Sequence, residues 1–478
     1  MTKFNTPTIE KSKTVNKAGG EAFKQSPQLE LVSILLTSMV ENQFYEKVSD
    51  KLDRLSDLMD KVDPLFAAKA AIFARNEIGM RSISHVTAVN LGKAAIKTKW
   101  GPRFYEKVAR RPDDVTEILA LNQSKFGKAI THAMRKGLGK ALGKFDEYQL
   151  GKYRGERNSV SLVDAVNLLH PDHTEAISKL INGKLKSKTW EAGLSAAGKT
   201  KNVKEEKKMV WGQLLSERKL GYMALLRNLR NILDTGDKEV ISMACTQLVD
   251  EKQIKKSLLF PYRFYTAFIE IGKLNTPEAR LVSASIAKAL DVAVNNIPKM
   301  ERTCVVIDSS GSMTWNNMSD KSESRVIEAA AVLGVGLAKS NNSDVMLFDG
   351  SAKYFQISPM DSVIQNMQNL MRNVNGGATN FNAPFETFDK AYDRIIILSD
   401  MQGWVGYRAP TEAFRQYKRR FNSDPKVYSI DLTGNGSLQF PENNVYEMAG
   451  FSDKIFDVMK LLETDKKALI NTIDSIEL

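Results

Sequence analysis

Histidine and cysteine are both scarce in this sequence, which holds four histidines and two cysteines in 478 residues. None of the histidines lies in a motif with a serine or cysteine nucleophile, so the arrangement needed for nucleophilic catalysis is missing. Cys245 and Cys304 stand among apolar residues without a CxxC spacing or a histidine partner, which predicts two buried thiols in a reducing compartment. We therefore expect a binding protein that is not an enzyme.

Long hydrophobic runs are also missing. The first residues, MTKFNTPTIEKSKTV, contain no apolar segment, and the longest early apolar run, around Leu29 to Val40, is too short to cross a bilayer. We therefore expect a cytoplasmic protein without a membrane segment.

Charge is abundant and unevenly distributed, with a total of +12. Residues 1–300 carry 50 Lys and Arg against 33 Asp and Glu, whereas residues 301–478 carry 18 against 23, giving +17 and −5. An excess of this kind on one half predicts a polyanionic partner for that half, although many soluble proteins carry one on a merely solvated face.

Apolar residues recur at helical spacing from about Pro27 to Ile297. Asp63 followed by Pro64 is typical of a helix start, because the aspartate caps the first turn and proline fits within it. Further helical segments are expected at 82–96, 112–121, 161–169, 209–233, 239–248 and 277–295. Many short helices without a strand indicate an all-α region of stacked helix pairs.

The pattern changes near Pro298. The run TCVVID is a continuous apolar strand, and strands then alternate with helices to the end of the sequence. Strands are expected at 303–308, 344–348, 352–357, 394–399 and 426–432, and helices at 325–339, 361–371, 411–420 and 454–462. This alternation predicts a doubly wound α/β domain of Rossmann type, with its ligand site in the loops after Ile307 and Leu398.

Five oxygen-bearing residues fall where that sheet is expected to place a ligand. Asp308, Ser310 and Ser312 follow the first strand, Thr379 lies in the loop NGGATN, and Asp400 ends the strand IIILSD. Hydroxyl and carboxylate oxygens suit a hard divalent cation, Mg²⁺ first and Mn²⁺ as the alternative. The set resembles the metal-ion-dependent adhesion site of von Willebrand factor A domains, and the resemblance covers residues 299–478.

The densest basic stretch of the helical half is MRKGLGKALGKFDEYQLGKYRGER. Lys136, Lys140 and Lys144 are four residues apart, so they line one helix face and could contact successive phosphates of RNA. The aromatic residues between the charges offer stacking surfaces. From the charges alone, a solvated helix face is an equal alternative.

A family resemblance favours RNA. Residues 16–298 resemble the TROVE domain of the Ro ribonucleoproteins through NKAGGEAF, LGKYRGERNSVSLVDAVNLLHPDH, WGQLLSERKLGYMALLRNLRNIL and LLFPYRF. The resemblance implies a monomeric ring of HEAT-like helical repeats joined to the von Willebrand factor A domain. It also implies binding of structured noncoding Y-type RNA and of the single-stranded 3′ ends of misfolded RNA, for RNA quality control or degradation, with an exoribonuclease as a further partner.

The residues expected to contact RNA combine the basic stretch with the positions that match the family's KYRGER and LLHP motifs. They are Arg135, Lys136, Lys140, Lys144, Lys152, Arg154, Arg157 and His170. KYRGERN is one residue longer here than in some family members, so the resemblance does not decide which arginine makes the contact.

The sequence allows two other interpretations. GLSAAGKT at 193–200 matches the Walker A pattern, but its flanks are too polar for the buried strand and apolar helix that a phosphate-binding loop requires. The alternative function is a protein-interaction scaffold that acts through the metal site of the A domain, with the helical half as support. The charge of +17 on the helical half favours RNA binding over this alternative.

Overall fold

A computed structural model of the chain gives the architecture. It describes residues 13–15, 21–23, 26–37, 48–153, 159–185, 190–318, 323–403, 405, 410–433, 444–449, 456, 459 and 468–478. The chain divides into two compact units. The A-domain unit comprises residues 1–26, 41–48 and 215–466, and the helical unit comprises residues 27–40, 49–214 and 467–478.

The regular secondary structure of the described residues of the helical unit is helical. Its helices are α1 (Pro27–Thr37), α2 (Val48–Lys61), α3 (Pro64–Phe73), α4 (Ser82–Asn90), α5 (Trp100–Val108), α6 (Pro112–Phe126), α7 (His132–Gly143), α8 (Glu147–Lys152), α9 (Leu162–Leu169), α10 (Glu175–Ile181), α11 (Trp190–Ala197), most of α12 (Val203–Ser216), and a last helix, Ala468–Asp474. A π-helical turn, Ala74–Ile78, follows α3.

The start of α3 shows how the sequence sets these helices. The side chain of Asp63 accepts a hydrogen bond from the Leu65 N–H at 3.3 Å, and Pro64 occupies the first turn. Because the first N–H groups of a helix have no partner within it, this cap satisfies one of them. The expected helix start is confirmed.

A buried charged cluster joins α4 to α6. The His85 imidazole is fully buried, with Nε2 3.0 Å from Asp114 Oδ1 and Nδ1 3.0 Å from Glu117 Oε2. Burial alone lowers the pKa of His85, but the two carboxylates outweigh it and raise that pKa above its ordinary value. Arg75 also donates to Asp114, so the buried carboxylate is paired on two sides.

Among the fully described elements of the A-domain unit, five helices precede the main sheet and five belong to the α/β domain. They are α13 (Tyr222–Leu233), α14 (Lys238–Leu248), α15 (Glu251–Ser257), α16 (Pro261–Gly272), α17 (Pro277–Ala293), α18 (Gly311–Trp315), α19 (Val326–Asn341), α20 (Val363–Met371), α21 (Asn382–Thr387) and α22 (Pro410–Phe421). The helix expected over 209–233 is wrong as a single element. It is interrupted between α12 and α13, where Gly221 begins the second helix.

Two sheets lie in the described part of the A-domain unit. A short antiparallel pair joins β1 (Lys13–Val15) to β2 (Glu21–Phe23). The main sheet contains β3 (Thr303–Asp308), β4 (Asp344–Phe348), β5 (Ala352–Phe355), β6 (Arg394–Ser399), β7 (Lys426–Asp431) and β8 (Val445–Ala449).

The main sheet has the strand order β5-β4-β3-β6-β7-β8, and only the β4–β5 pairing is antiparallel. The sheet therefore extends in both directions from β3 and β6, which is the doubly wound topology that the sequence predicts. The pattern missed β8, since Glu447 interrupts Val445–Ala449 and the segment lacks the apolar run that marked the other strands. Of the helix expected at 454–462, only Phe456 and Met459 lie within the described residues, and both are helical.

Helices α16 and α17 pack on the α/β domain within the A-domain unit. The Val363 N–H at the start of α20 donates to Asp291 Oδ1 of α17 at 2.8 Å, and the Ser340 hydroxyl of α19 donates to the Ile297 carbonyl at 3.3 Å. The change from helices to strands falls between Asn296 and Thr303. The division of the chain at residues 16–298 and 299–478 stays a prediction.

Candidate functional sites

Two neighbouring strand ends bring the candidate metal ligands together. β3 ends at Asp308 and β6 ends at Ser399, immediately before Asp400, and the two strands pair directly with Ile307 opposite Leu398. Because strand order reverses between β3 and β6, the loops that follow them open a crevice at this edge of the sheet. Both carboxylates lie in it, and both are buried.

Hydrogen bonds fix the turn after β3. The Ser310 N–H donates to Asp308 Oδ1 at 2.9 Å, and the hydroxyl oxygens of Ser310 and Ser312 are 3.4 Å apart. Ser312 also hydrogen-bonds the Asp400 carboxylate. The turn thus gathers two hydroxyls and two carboxylates around one point.

The glycine-rich loop joins this turn through its backbone. The Gly311 N–H donates to the Gly377 carbonyl at 2.9 Å, and the Gly376 N–H donates to the Ser309 carbonyl at 3.2 Å. Thr379, three residues further along, is buried beside the turn. All five predicted metal ligands therefore lie on segments that are bonded to one another.

The electrostatics of the site favour a cation. Burial and the negative charge of Asp308 raise the pKa of Asp400. Burial and the negative charge of Asp349 raise the pKa of Asp308. Two buried carboxylates that repel each other are stabilised by a divalent ion, which replaces their lost hydration. No group of three or more His, Cys, Asp or Glu side chains that could hold a metal occurs in the described part of the chain. The hydroxyl and carboxylate oxygens of this site are hard donors, which suit a hard divalent cation.

Sequence reasoning missed three residues of this site. The Ser399 hydroxyl donates to Asp308 Oδ2 and so orients a candidate ligand. Asp349 and Asp431, which lie at the ends of β4 and β7, act on the pKa values of Asp308 and Asp400. Their positions in the sequence could have indicated them, since each of these residues ends or directly follows a strand.

The candidate RNA-binding residues lie in the helical unit, centred on α7. Gly137 lets α7 approach α5 closely, because a Cβ there would lie 2.3 Å from the Pro102 carbonyl oxygen and 2.5 Å from Tyr105 Cβ. Lys136 and Lys140 are exposed on one side of α7, and exposed Lys144 continues the row directly after the last residue of the helix. The helix that carries this row of lysines therefore packs closely against α5.

One acidic residue on α5 engages part of that row. Lys140 Nζ lies 3.0 Å from Glu106 Oε2, and Lys144 forms a second ion pair with the same carboxylate. Burial raises the pKa of Glu106, but the two lysines outweigh it and lower that pKa. Arg135 and Lys136 are exposed and make no ion pair with any side chain in the described ranges.

The other residues expected to contact RNA do not share one helix face. Lys152, on α8, pairs with Glu191 at 3.3 Å and lies 5.9 Å from the rings of Tyr148 and Tyr153. Exposed His170 ends α9 in the left-handed conformation at φ +50°, next to Leu169, whose backbone packs against α7. Arg154 and Arg157 lie outside the described residues.

The expectation that the aromatic residues of this stretch offer stacking surfaces is only partly right. Phe145 is buried in the core, so its ring is not available to a base. The Arg111 guanidinium already lies 4.6 Å from the centre of the Tyr153 ring. Tyr148 is the member of the set with an exposed ring.

The Walker A match is not a phosphate-binding loop. Residues 190–197 form helix α11, so the first glycine of the motif, Gly193, lies inside a helix instead of a turn between strand and helix. The Trp190 ring packs against Trp211 of α12. The interpretation of this match as fortuitous is confirmed.

Two family models match parts of the chain. A family model described as the Ro60 vWA domain matches residues 302–462, and a TROVE domain model matches residues 182–324. No helix in the described ranges is both long and apolar enough to span a membrane.

Individual relatives agree with these models. The chain is 24% identical to mouse "Telomerase protein component 1" over 54% of this chain and 13% of that protein. It is 25% identical to the "RNA-binding protein RO60" of Caenorhabditis elegans over 54% of this chain and 42% of that protein. The chain thus matches less than half the length of either relative.

A solved structure shares the fold. The Ro (RSR) protein of Deinococcus radiodurans superposes with a TM-score of 0.63 at 18% identity, over 91% of this chain and 98% of that one. The predicted fold class, a TROVE helical region followed by a von Willebrand factor A domain, is confirmed. The chain thus contains a segment that matches the TROVE domain and one that matches the Ro60 vWA domain, and its fold is similar to that of a Ro protein.

Proposed function

We propose that this protein binds RNA through its helical unit, as a component of a ribonucleoprotein. The observation that carries the proposal is the row of Lys136, Lys140 and Lys144 on α7, next to exposed Arg135. Residues four apart on a helix are about 6 Å apart along its axis, so the row can contact successive phosphates of one strand. The net charge of +17 on residues 1–300 adds long-range attraction for a polyanion.

The family adds the class of RNA. One relative is named an RNA-binding protein, and the Ro resemblance supports structured Y-type RNA on the basic surface and the 3′ ends of misfolded RNA as ligands. The function is then RNA quality control or degradation in the cytoplasm, with an exoribonuclease as a further partner and no chemical turnover by this chain. Lys152, Arg154, Arg157 and His170 would extend the contact surface.

Two RNAs test this proposal: a short hairpin with a single-stranded 3′ tail and the same hairpin with a blunt end. We expect the tailed hairpin to bind more tightly, and its affinity to fall steeply across a salt series as phosphate contacts are lost. Equal, weak binding of both hairpins would contradict the proposal.

A triple variant, Lys136→Gln with Lys140→Gln and Lys144→Gln, tests the surface itself. For single-stranded RNA, each phosphate contact adds about 0.7 to the slope with which log affinity falls against log salt concentration. Three contacts therefore contribute about 10²-fold to the affinity at 0.1 M salt relative to 1 M salt, and the triple variant should lose that factor. The control removes three exposed basic residues of the A domain, Lys353, Arg372 and Arg419, by the same substitution to Gln. If both triple variants lose affinity equally, net charge explains binding and the α7 row does not.

We also propose that Asp308, Ser310, Ser312, Thr379 and Asp400 hold Mg²⁺, or Mn²⁺ in its place. The support is the hydrogen-bonded group of Asp308, Ser310, Ser312 and Asp400, the position of buried Thr379 on a loop bonded to the same turn, and the raised pKa values of the two carboxylates. When bound, the ion offers a coordination position to an oxygen ligand from outside the chain. This is the basis of the second candidate function, in which the A domain docks a protein partner.

A further inference from the structure

A large aromatic side chain stands exposed at the rim of the candidate metal site. Trp315, the last residue of α18, is 73% exposed. Its indole lies over Gly311 and Gly376, where a Cβ on Gly376 would be 3.3 Å from the indole Nε1. One of these glycines separates Ser310 from Ser312, and the other begins the loop of Thr379. The ring therefore covers both ligand loops with one face and turns the rest of its surface to solvent.

A second apolar residue lies at the Thr379 loop. Val405 is 41% exposed, and its N–H donates to the Thr379 carbonyl at 3.3 Å. Each of the two loops that carry hydroxyl ligands thus has an apolar side chain attached to it. Exposed tryptophan is costly in water and is among the residues that contribute most to protein interfaces when a partner covers it.

We propose that the metal site and Trp315 together dock a polypeptide in which an acidic residue has a large apolar neighbour. The carboxylate would complete the coordination of the ion, and the apolar side chain would pack on the indole. This inference rests on the metal site proposed above.

Charge favours a polypeptide over RNA at this site. A divalent ion is neutralised by Asp308 and Asp400, while half-buried Asp349 and buried Asp431 add negative charge at the ends of the neighbouring strands β4 and β7. Residues 301–478 carry a net charge of −5. One carboxylate brings a single negative charge into these surroundings, whereas an RNA strand brings one with every nucleotide.

Three short synthetic peptides of equal length test the proposal on the full chain. One carries Phe-Asp between glycines, the second Ser-Asp, and the third Phe-Asn. Binding is measured by calorimetry in MnCl₂ and again in EDTA, while Mn²⁺ binding itself is followed by electron paramagnetic resonance. We expect the Phe-Asp peptide to bind most tightly, and only with the metal present.

Substitutions at position 315 separate the apolar contact from the metal. Trp315→Ala should weaken the Phe-Asp peptide at least about tenfold, as for an interface hot spot, and Trp315→Phe should weaken it less. Both variants should bind Mn²⁺ as the unsubstituted protein does, because Trp315 is not among the candidate ligands.

Each other outcome has a distinct meaning. If the unsubstituted protein binds no Mn²⁺, the metal site and the docking proposal both fail. If Mn²⁺ binds but no peptide does, or if Ser-Asp and Phe-Asp bind equally, or if Trp315→Ala changes nothing, only the docking proposal fails. Displacement of the peptide by a single-stranded oligouridylate would make RNA the occupant, which also overturns it.

Discussion

Removing the carboxylate that neutralises half of the α7 row should strengthen RNA binding. Glu106 forms ion pairs with both Lys140 and Lys144. An RNA phosphate that contacts these lysines must compete with the Glu106 carboxylate for them. The ion pairs of the free protein therefore reduce the free energy gained when RNA binds. We predict that Glu106→Gln raises the affinity for the tailed hairpin.

The structure sets the size of this effect. Ion pairs between exposed side chains contribute about 0.2–1 kcal/mol each, and two pairs are involved, which gives about 0.4–2 kcal/mol. Since 1.4 kcal/mol corresponds to tenfold in affinity, the gain lies between about twofold and thirtyfold. The Glu106 side chain is only 12% exposed, so its pairs are better shielded than most and we expect a gain near tenfold.

Fluorescence anisotropy of labelled hairpin at 0.1 M salt measures the change. Glu175→Gln is the matched control, because Glu175 also pairs with a lysine of the helical unit, Lys179, but outside the α7 row. It should change affinity by less than about twofold. Unchanged or weaker binding by Glu106→Gln would refute the reasoning, as would an equal gain when Lys140 and Lys144 are already glutamine.

Three further predictions concern stability and metal binding. Gly137→Ala should lower the free energy of unfolding by about 1–3 kcal/mol in denaturant titrations, because its Cβ would meet the backbone of Pro102 and the Tyr105 side chain; an unchanged midpoint would contradict the close packing of α7 on α5. MnCl₂ at about 100 times the dissociation constant should stabilise the protein by about 2.7 kcal/mol, and Asp400→Asn should remove this gain without exposing the core. The pKa of His85 is raised in the folded state, so its contribution to stability is complete below about pH 6.5 and is lost as the pH rises through the folded pKa. His85→Gln should flatten that decline in urea titrations between pH 6 and 9, and a parallel decline in both proteins would exclude His85 as its source.

The sequence determined the general organisation of this protein because the signals involved are local. Helical spacing, the cap at Asp63 and the apolar run of β3 each depend on residues close together in the chain. The candidate metal ligands could be chosen from sequence for the same reason: a parallel strand of a doubly wound sheet presents the residues at its carboxyl end to the crevice.

Tertiary structure alone decided which charges and rings are available. Nothing local to the α7 lysines shows that Glu106 neutralises two of them, since 34 and 38 residues separate the partners and packing of α5 on α7 brings them together. Phe145 appears among basic residues in the sequence, yet its ring is buried. The exposure of Trp315 likewise follows from the meeting of two loops that lie more than 60 residues apart. Contacts of this range depend on how helices and loops pack, and the order of residues along one segment does not record them.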